Sequence, residues 1–246
     1  MNLRLHSKPG LTAMVTAALL ALAGCGTSAT STVNAAASSS SPAQIDTSIL
    51  RSTSFRFKPY DTPEALASAD RIAVTAIGVV EGFEEGKTYQ VETGNGATPY
   101  PRVNMVVKIN KAFKGANRND LVSNGRIYVE LNRGPVSAAD GVTPINSIES
   151  FEKKIPRGTQ VAVFTYKTTP ISSKFEEPAT TANGKPKEVS TLTPHPQGLI
   201  FEAVSTDPSV SRTMEGGLTS LESMPKAWQE IRSMDELANR MAKVSD

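Results

Sequence analysis

The sequence predicts a mainly β protein: a small barrel or sandwich of five or six short strands, with a short N-terminal helix and a C-terminal helix. Three observations lead there. Val103, Met105, Val107 and Ile109 recur at every second position, the spacing that puts side chains on one face of a strand. Asn124-Gly125 is a tight-turn signal, and Ile127, Val129 and Leu131 alternate with Arg126, Tyr128 and Glu130 directly after it. The C-terminus then changes period, with Leu237, Met241 and Val244 at helical spacing behind a Ser233–Glu236 capping box.

The first element is a leader. Arg4 and Lys8 precede Leu11–Ala23, 13 uncharged residues that suit the apolar centre of a signal peptide and are too few to span a bilayer. Leu22-Ala23-Gly24-Cys25 closes this stretch and resembles the lipobox of bacterial lipoproteins. The resemblance covers the first 25 residues. It implies a signal peptide over residues 1–24, a diacylglyceryl group (palmitate or similar chains) on Cys25, and a lipid-anchored, extracytoplasmic place in the cell envelope. Two or three acyl chains hold a protein at a membrane where one does not. Residues 25–49 read as a lipidated flexible tether, since Gly, Ser, Thr and Ala dominate them and bury too little surface to fold. About 20 such residues have an r.m.s. span of roughly 25 Å.

Residues 50–210 form the expected β domain. Phe55 and Phe57 read as the core-facing side of an edge strand. Thr62-Pro63-Glu64 starts a short helix, with a capping hydroxyl, proline in the first turn and an acid near the positive end of the dipole. Arg71–Val80 is an apolar, β-branched run that fits a strand covered on both faces. Gly82 and Gly86 mark turns, and Lys87–Glu92 a second strand. Lys114-Gly115 ends the alternating strand that begins at Val103. Pro156-Arg157-Gly158 turns into a strand over Gln160–Tyr166, and Leu199–Val204 is the last strand. Thr168–Gln197, rich in Pro, Thr and Lys, is a long irregular loop, expected to be disordered or to bind. Residues 211–246 form a helical segment whose Trp228 and Ile231 pack on the β domain.

A second resemblance rests on Ser68–Val74, Val103–Gly115 and Ile155–Phe164. These stretches are similar to the OB-like barrel of netrin-like modules and of bacterial lipoproteins of similar pattern. That family has a strand after Ala-Asp, a strand ending in Val-Phe-Lys-Gly and a later Gly-x-x-Tyr-Leu-Leu strand. The resemblance covers roughly residues 66–166 and implies an OB-like barrel. The departure is at the N-terminus. Netrin-like inhibitors of metalloproteinases use a free, disulfide-braced cysteine amine on the target's zinc, whereas Cys25 is expected to be lipidated and is the only cysteine.

Composition narrows the chemistry. Of 26 basic residues two, Arg4 and Lys8, lie in the leader, so the 222 residues that follow it carry 24 basic and 24 acidic side chains. A neutral body offers no long-range attraction for nucleic acid. One cysteine excludes an internal disulfide and a cysteine-ligated zinc. His195, between Pro194 and Pro196, is the only histidine after the leader and reads as a loop residue, too few imidazoles for a zinc hydrolase. The sequence has no Gly-x-Ser-x-Gly elbow and no phosphate-binding glycine loop. Glu84-Glu85 and Glu176-Glu177 are the paired carboxylates, read as solvated loop charges. No catalytic, metal-ligating or cofactor-binding residue is named; Cys25 is the one site. The expected function is a non-enzymatic binding or interaction domain that meets the membrane through Cys25 and takes a protein or glycan partner, with no cofactor. The alternatives are an envelope hydrolase and a regulator or inhibitor of an envelope enzyme.

Overall fold

The computed structural model describes residues 45–51, 56–94, 96–176, 185–203 and 213–244. The expected leader, Cys25 and the expected tether up to residue 44 lie outside them, as do Phe55 and Glu177. The protein is mainly β. Five strands, β1 (Val74–Thr93), β2 (Gly96–Lys114), β3 (Arg126–Asn132), β4 (Gln160–Lys167) and β6 (Leu192–Ala203), pair in the closed order β1–β2–β3–β6–β4–β1. Every pairing in this ring is antiparallel except β3–β6, which meet in parallel at Val129 and Leu192. Two short strands attach to it: β5 (Phe175–Glu176) on β1, and β7 (Thr213–Gly216) on β6.

The ring encloses one core. Val74, Ala76, Val80 and Phe83 from β1 meet Val103, Met105 and Val107 from β2 and Ile127, Val129 and Leu131 from β3. Val161, Val163, Leu199 and Phe201 complete it from the remaining strands. The alternations that predict strands in β2 and β3 are therefore the inward-facing sets.

Gly82 and Gly86 do not end a strand. β1 runs unbroken for 20 residues, and its register against β2 slips between Val80 and Gly82 and again between Glu85 and Thr88. Both glycines sit in or beside a bulge. Gly82 has φ +150°, and a Cβ on Gly86 would lie 2.9 Å from the Arg102 backbone. A bulge inserts one residue and so reverses which face the following side chains take. Val80 points inward; without the insertion Glu84 would too. With it, Phe83 fills the core and Glu84 moves to the outer face.

One half of the outer surface carries a second apolar layer. Ile77, Ala162, Phe164 and Ile200 project outward from β1, β4 and β6. Helices α1 (Pro63–Ala67), α3 (Lys226–Gln229) and α4 (Met234–Ala242) cover them through Leu66, Trp228, Met234, Leu237 and Met241. The capping hydroxyls are those the sequence announces, while the carboxylate of the expected box bonds the Arg232 N–H in place of that of Ser233. The Thr62 hydroxyl accepts the Ala65 N–H at 3.1 Å, and the Ser233 hydroxyl accepts that of Glu236 at 3.1 Å. Glu236 reaches back to the Arg232 N–H at 2.9 Å. A bidentate pair between Arg240 and Glu64, at 2.6 and 3.0 Å, ties α4 to α1. Val244, expected in this packed stripe, is exposed.

Four further expectations change. Ile45, Thr47 and Ile49, at the end of the expected tether, are buried in and just before a 3-10 turn over Thr47–Leu50, because Ile45 and Ile49 join the core and Asp46 N–H bonds the Lys154 carbonyl. Arg56–Tyr60 is not a strand. Helix α2 (Ile148–Lys154), unannounced because only Phe151 and Ile155 mark its apolar face, is capped by Ser147 and buries Phe151 5.4 Å from Phe83. Strand β7 extends the sheet into the expected helical segment.

Candidate functional site

The other half of the outer surface, over β1, β2 and β3, is polar and partly buried. Register fixes its rows: Glu84 lies opposite Asn104, and Asn104 opposite Glu130. Val106 and Tyr128 form the next row of the same face. Residues 185–191 cross over it as a strap. Val189 packs on Val106 and Tyr128, and the Thr191 hydroxyl donates to Glu130 at 3.3 Å. Lys185 braces the strap, its Nζ donating to the carbonyls of Pro186 and Val189 at 3.2 and 2.7 Å.

Under this strap Glu84, Asn104 and Glu130 are at most 6 % exposed. Glu130 is held by the Tyr89 hydroxyl at 3.2 Å, and Arg102 stands 3.8 Å away. Neither carboxylate oxygen of Glu84 and not the Asn104 Oδ1 finds a hydrogen-bond partner. Burial pushes both carboxyls above the ordinary glutamate range; Asn104 and Lys185 oppose this at Glu84, and Arg102, Tyr89 and Thr191 at Glu130. The expectation that Glu84 is a solvated loop charge is thus overturned: the bulge at Gly82 sets it on a covered sheet face. Glu85 and Glu176 are exposed, as expected, but lie in β1 and β5 and not in loops.

Two features flank this row. On the hairpin side a cation–aromatic ladder runs outward: the Arg102 guanidinium lies 4.6 Å from the Tyr100 ring and 5.7 Å from that of Tyr89. Phe175 meets Tyr89 edge-on at 6.0 Å, with the Lys87 ammonium 4.2 Å from its ring. On the opposite side a cleft of about 630 Å³ opens, lined by Gly82, Phe83, Val106, Tyr128, Arg157 and Pro186 among others.

His195 lies elsewhere and is no loop residue. It sits in β6, 1 % exposed, with Phe57 and Tyr60 edge-on at 5.4 Å and its Nδ1 accepting the Gln197 N–H at 3.2 Å. The Pro-His-Pro spelling hides a strand that tolerates proline where its register against β4 slips. Thr168–Gln197 is accordingly no single irregular loop: Phe175–Glu176 pairs with β1, and Val189–Gln197 is almost wholly buried.

Burial, and secondarily Arg71, lower the His195 pKa from 6.5 to about 4. The unfolded chain therefore binds a proton between those values that the folded chain does not, so stability falls as pH drops through that window. The loss reaches about 3 kcal/mol at pH 4. Denaturant unfolding of wild type and His195→Gln at pH 7 and pH 4 checks this. The variant loses less on acidification, and an equal loss in both removes His195 as the cause.

Among the described residues no cluster of three or more His, Cys, Asp and Glu is placed to hold a metal, and no helix is long and apolar enough to cross a membrane. In the basic groove at Arg71, Lys114, Arg118 and Lys167 the cations have partners within the protein, Arg71 through the Tyr166 ring at 5.6 Å and the others through hydrogen bonds and ion pairs. Lys114 Nζ bonds the Ala67 and Ala69 carbonyls, and Arg118 and Lys167 share Asp120. No known protein family, curated protein or solved structure matches the chain. Fold and site together define a class only: a mainly β protein with a closed five-strand ring and a strapped polar face. The sequence indicates the strands of that face, but burial of Glu84, Asn104 and Glu130 depends on a strap 55 or more residues away in the chain.

Proposed function

We propose that the chain is a lipid-anchored extracytoplasmic lipoprotein, attached through Cys25, whose body is an OB-like barrel acting as a non-enzymatic binding domain. The ring order and the single parallel contact between β3 and β6 support the barrel reading, since an OB fold is a five-stranded, partly open barrel. The observation that carries the binding reading is the outer face of β1–β3. Its Tyr100–Arg102–Tyr89 ladder leads to buried polar atoms without partners, and folds tolerate such atoms chiefly where something else satisfies them. OB-type barrels bind ligands on the face of strands 2 and 3, and here β2 carries Tyr100, Arg102 and Asn104 and β3 carries Glu130. The membrane and a protein or glycan are the partners, and no cofactor is required. The satisfied basic groove and the neutral body argue against nucleic acid.

The test is an affinity capture from detergent-solubilised envelope with full-length protein, Cys25→Ala and a Tyr100→Ala/Arg102→Ala pair. Wild type enriches a defined protein or glycan, the face variant loses at least tenfold of it, and Cys25→Ala leaves the membrane fraction. Capture undiminished by the face variant, or none from folded wild type, overturns the reading. A carboxylate-based hydrolase is the second reading, favoured by two raised carboxyls, Glu84 and Glu130, flanking Asn104. Turnover of an envelope polymer, abolished in Glu130→Gln, would select it.

A further inference from the structure

We infer that Glu84 and Asn104 form the end of a binding site for a primary ammonium group, reached along the cleft at Gly82, Val106 and Tyr128. This rests on the binding-domain reading and names the ligand chemistry of its covered end.

Three acceptor atoms that no donor meets in hydrogen-bond geometry lie together there, Oε1 and Oε2 of Glu84 and Oδ1 of Asn104, with the Asn104 amide and the Lys185 ammonium near enough to favour the charged Glu84. The two residues are register partners on adjacent strands, 5 % and 3 % exposed. A deprotonated carboxylate and an amide oxygen only accept hydrogen bonds, and a primary ammonium carries three N–H donors and no acceptor. Donor count, acceptor count and charge therefore match. A hydroxyl brings one donor and no charge, and leaves the carboxylate uncompensated in a poorly solvated place. A divalent cation is ill served, because calcium takes six to eight oxygens and magnesium a full octahedron. Glu130 lies one strand further on and is already engaged by Tyr89 and Thr191.

The cleft itself ends one residue row short of Glu84 and Asn104. Gly82, Val106 and Tyr128 lie one row from Glu84, Asn104 and Glu130 on the same face, about 7 Å along the strands. They floor the cleft, and Pro186 of the strap forms part of its wall. The floor is apolar and aromatic, suiting an alkyl stem that trails an ammonium. The Arg157 guanidinium, 3.1 Å from where a Cβ at position 82 would stand, flanks the cleft on this side. The charged groups facing Glu84 are Lys185 from the strap and the Tyr128 phenol from β3. The Lys185 ammonium is directed to the Pro186 and Val189 carbonyls.

The experiment uses full-length protein in non-ionic micelles and ethylammonium as probe, read by saturation-transfer NMR against protein-free micelles. Tetramethylammonium, with the same charge and no N–H, is the comparison. Ethylammonium receives transfer, tetramethylammonium at least fivefold less, and the ethylammonium signal falls on acidification as Glu84 takes a proton. Glu84→Gln, nearly isosteric, abolishes the transfer while its melting curve stays cooperative. Equal transfer to both probes, no transfer to either, or transfer that survives in folded Glu84→Gln, overturns the assignment. Envelope capture that still depends on Tyr100 and Arg102 would then leave the binding-domain reading standing; loss of both would remove it too.

Discussion

Replacing Trp228 with alanine lowers stability by about 3–5 kcal/mol, the largest expected loss from a single side chain here. Trp228 is fully buried, meets Phe164 edge-on at 5.7 Å, and is the centre of the apolar layer that seats α3 and α4 on the outer face of β1, β4 and β6. Its indole N–H donates to the Tyr60 carbonyl at 2.9 Å. The same carbonyl accepts from Gln197 at 3.0 Å, and Gln197 returns an acceptor to the Tyr60 N–H at 2.8 Å. The residue thus joins the C-terminal helices, the segment before α1 and β6. Truncation leaves a cavity among parts that the Tyr60–Gln197 and Arg240–Glu64 bonds still hold in place, so little collapse relieves the cost. Trp228→Phe keeps most of the apolar burial and drops the hydrogen bond, for about 1–2 kcal/mol. Denaturant unfolding of the full-length protein measures both. A loss below 1 kcal/mol for alanine would mean that the helices dock without this anchor.

Gly115→Ala costs about 3 kcal/mol or more. Gly115 has φ +75°, a left-handed conformation that costs other residues about 1–2 kcal/mol. A Cβ there would also stand 2.0 Å from the Ala73 carbonyl oxygen. Ala73 has little room to retreat, since its N–H bonds the Thr165 carbonyl at 2.7 Å and Val74 behind it is core. The end of β2 and the beginning of β1 would have to separate. Gly141→Ala isolates the conformational part: its φ is +68° with open space around it, so about 1 kcal/mol is expected. Equal small effects at both positions would show that the close approach to Ala73 is easily relieved.

Much of the ring is legible in the sequence. The alternations at Val103–Ile109 and Ile127–Leu131 report a face directly, because side chains along a strand point alternately to its two sides. Asn124 and Gly125, at φ 51° and 69°, make the turn that their spelling announces, and Ser233–Glu236 caps its helix. These signals are local, and local chemistry enforces them. The misreadings share the opposite property. Gly82 and Gly86 look like turns because glycine permits turns and bulges alike, and only the partner strand β2 distinguishes the two. Pro194-His195-Pro196 looks like a loop because proline forgoes a ladder hydrogen bond, and only the slipped register against β4 makes that tolerable. Ile45 and Ile49 look like tether because two apolar residues cannot fold alone, yet the core had places for them.

The candidate site was the least legible part. Glu84 reads as a solvated loop charge between the Gly82 and Gly86 turns, and Asn104 as a polar residue on the far side of its strand. No pattern within either strand marks them, since alternation tells which side of a sheet a residue takes and not what lies over that side. The sequence by itself determined the β class, the principal strands, the helix caps and the near-neutral charge of everything after residue 24, all of which follow from short-range geometry and composition. The tertiary structure alone decided that the strands close into a ring, that a one-residue bulge turns Glu84 outward, and that residues 185–191 cross over it. Those outcomes depend on contacts between residues far apart in the chain, whose enthalpy and lost entropy are set by the whole fold.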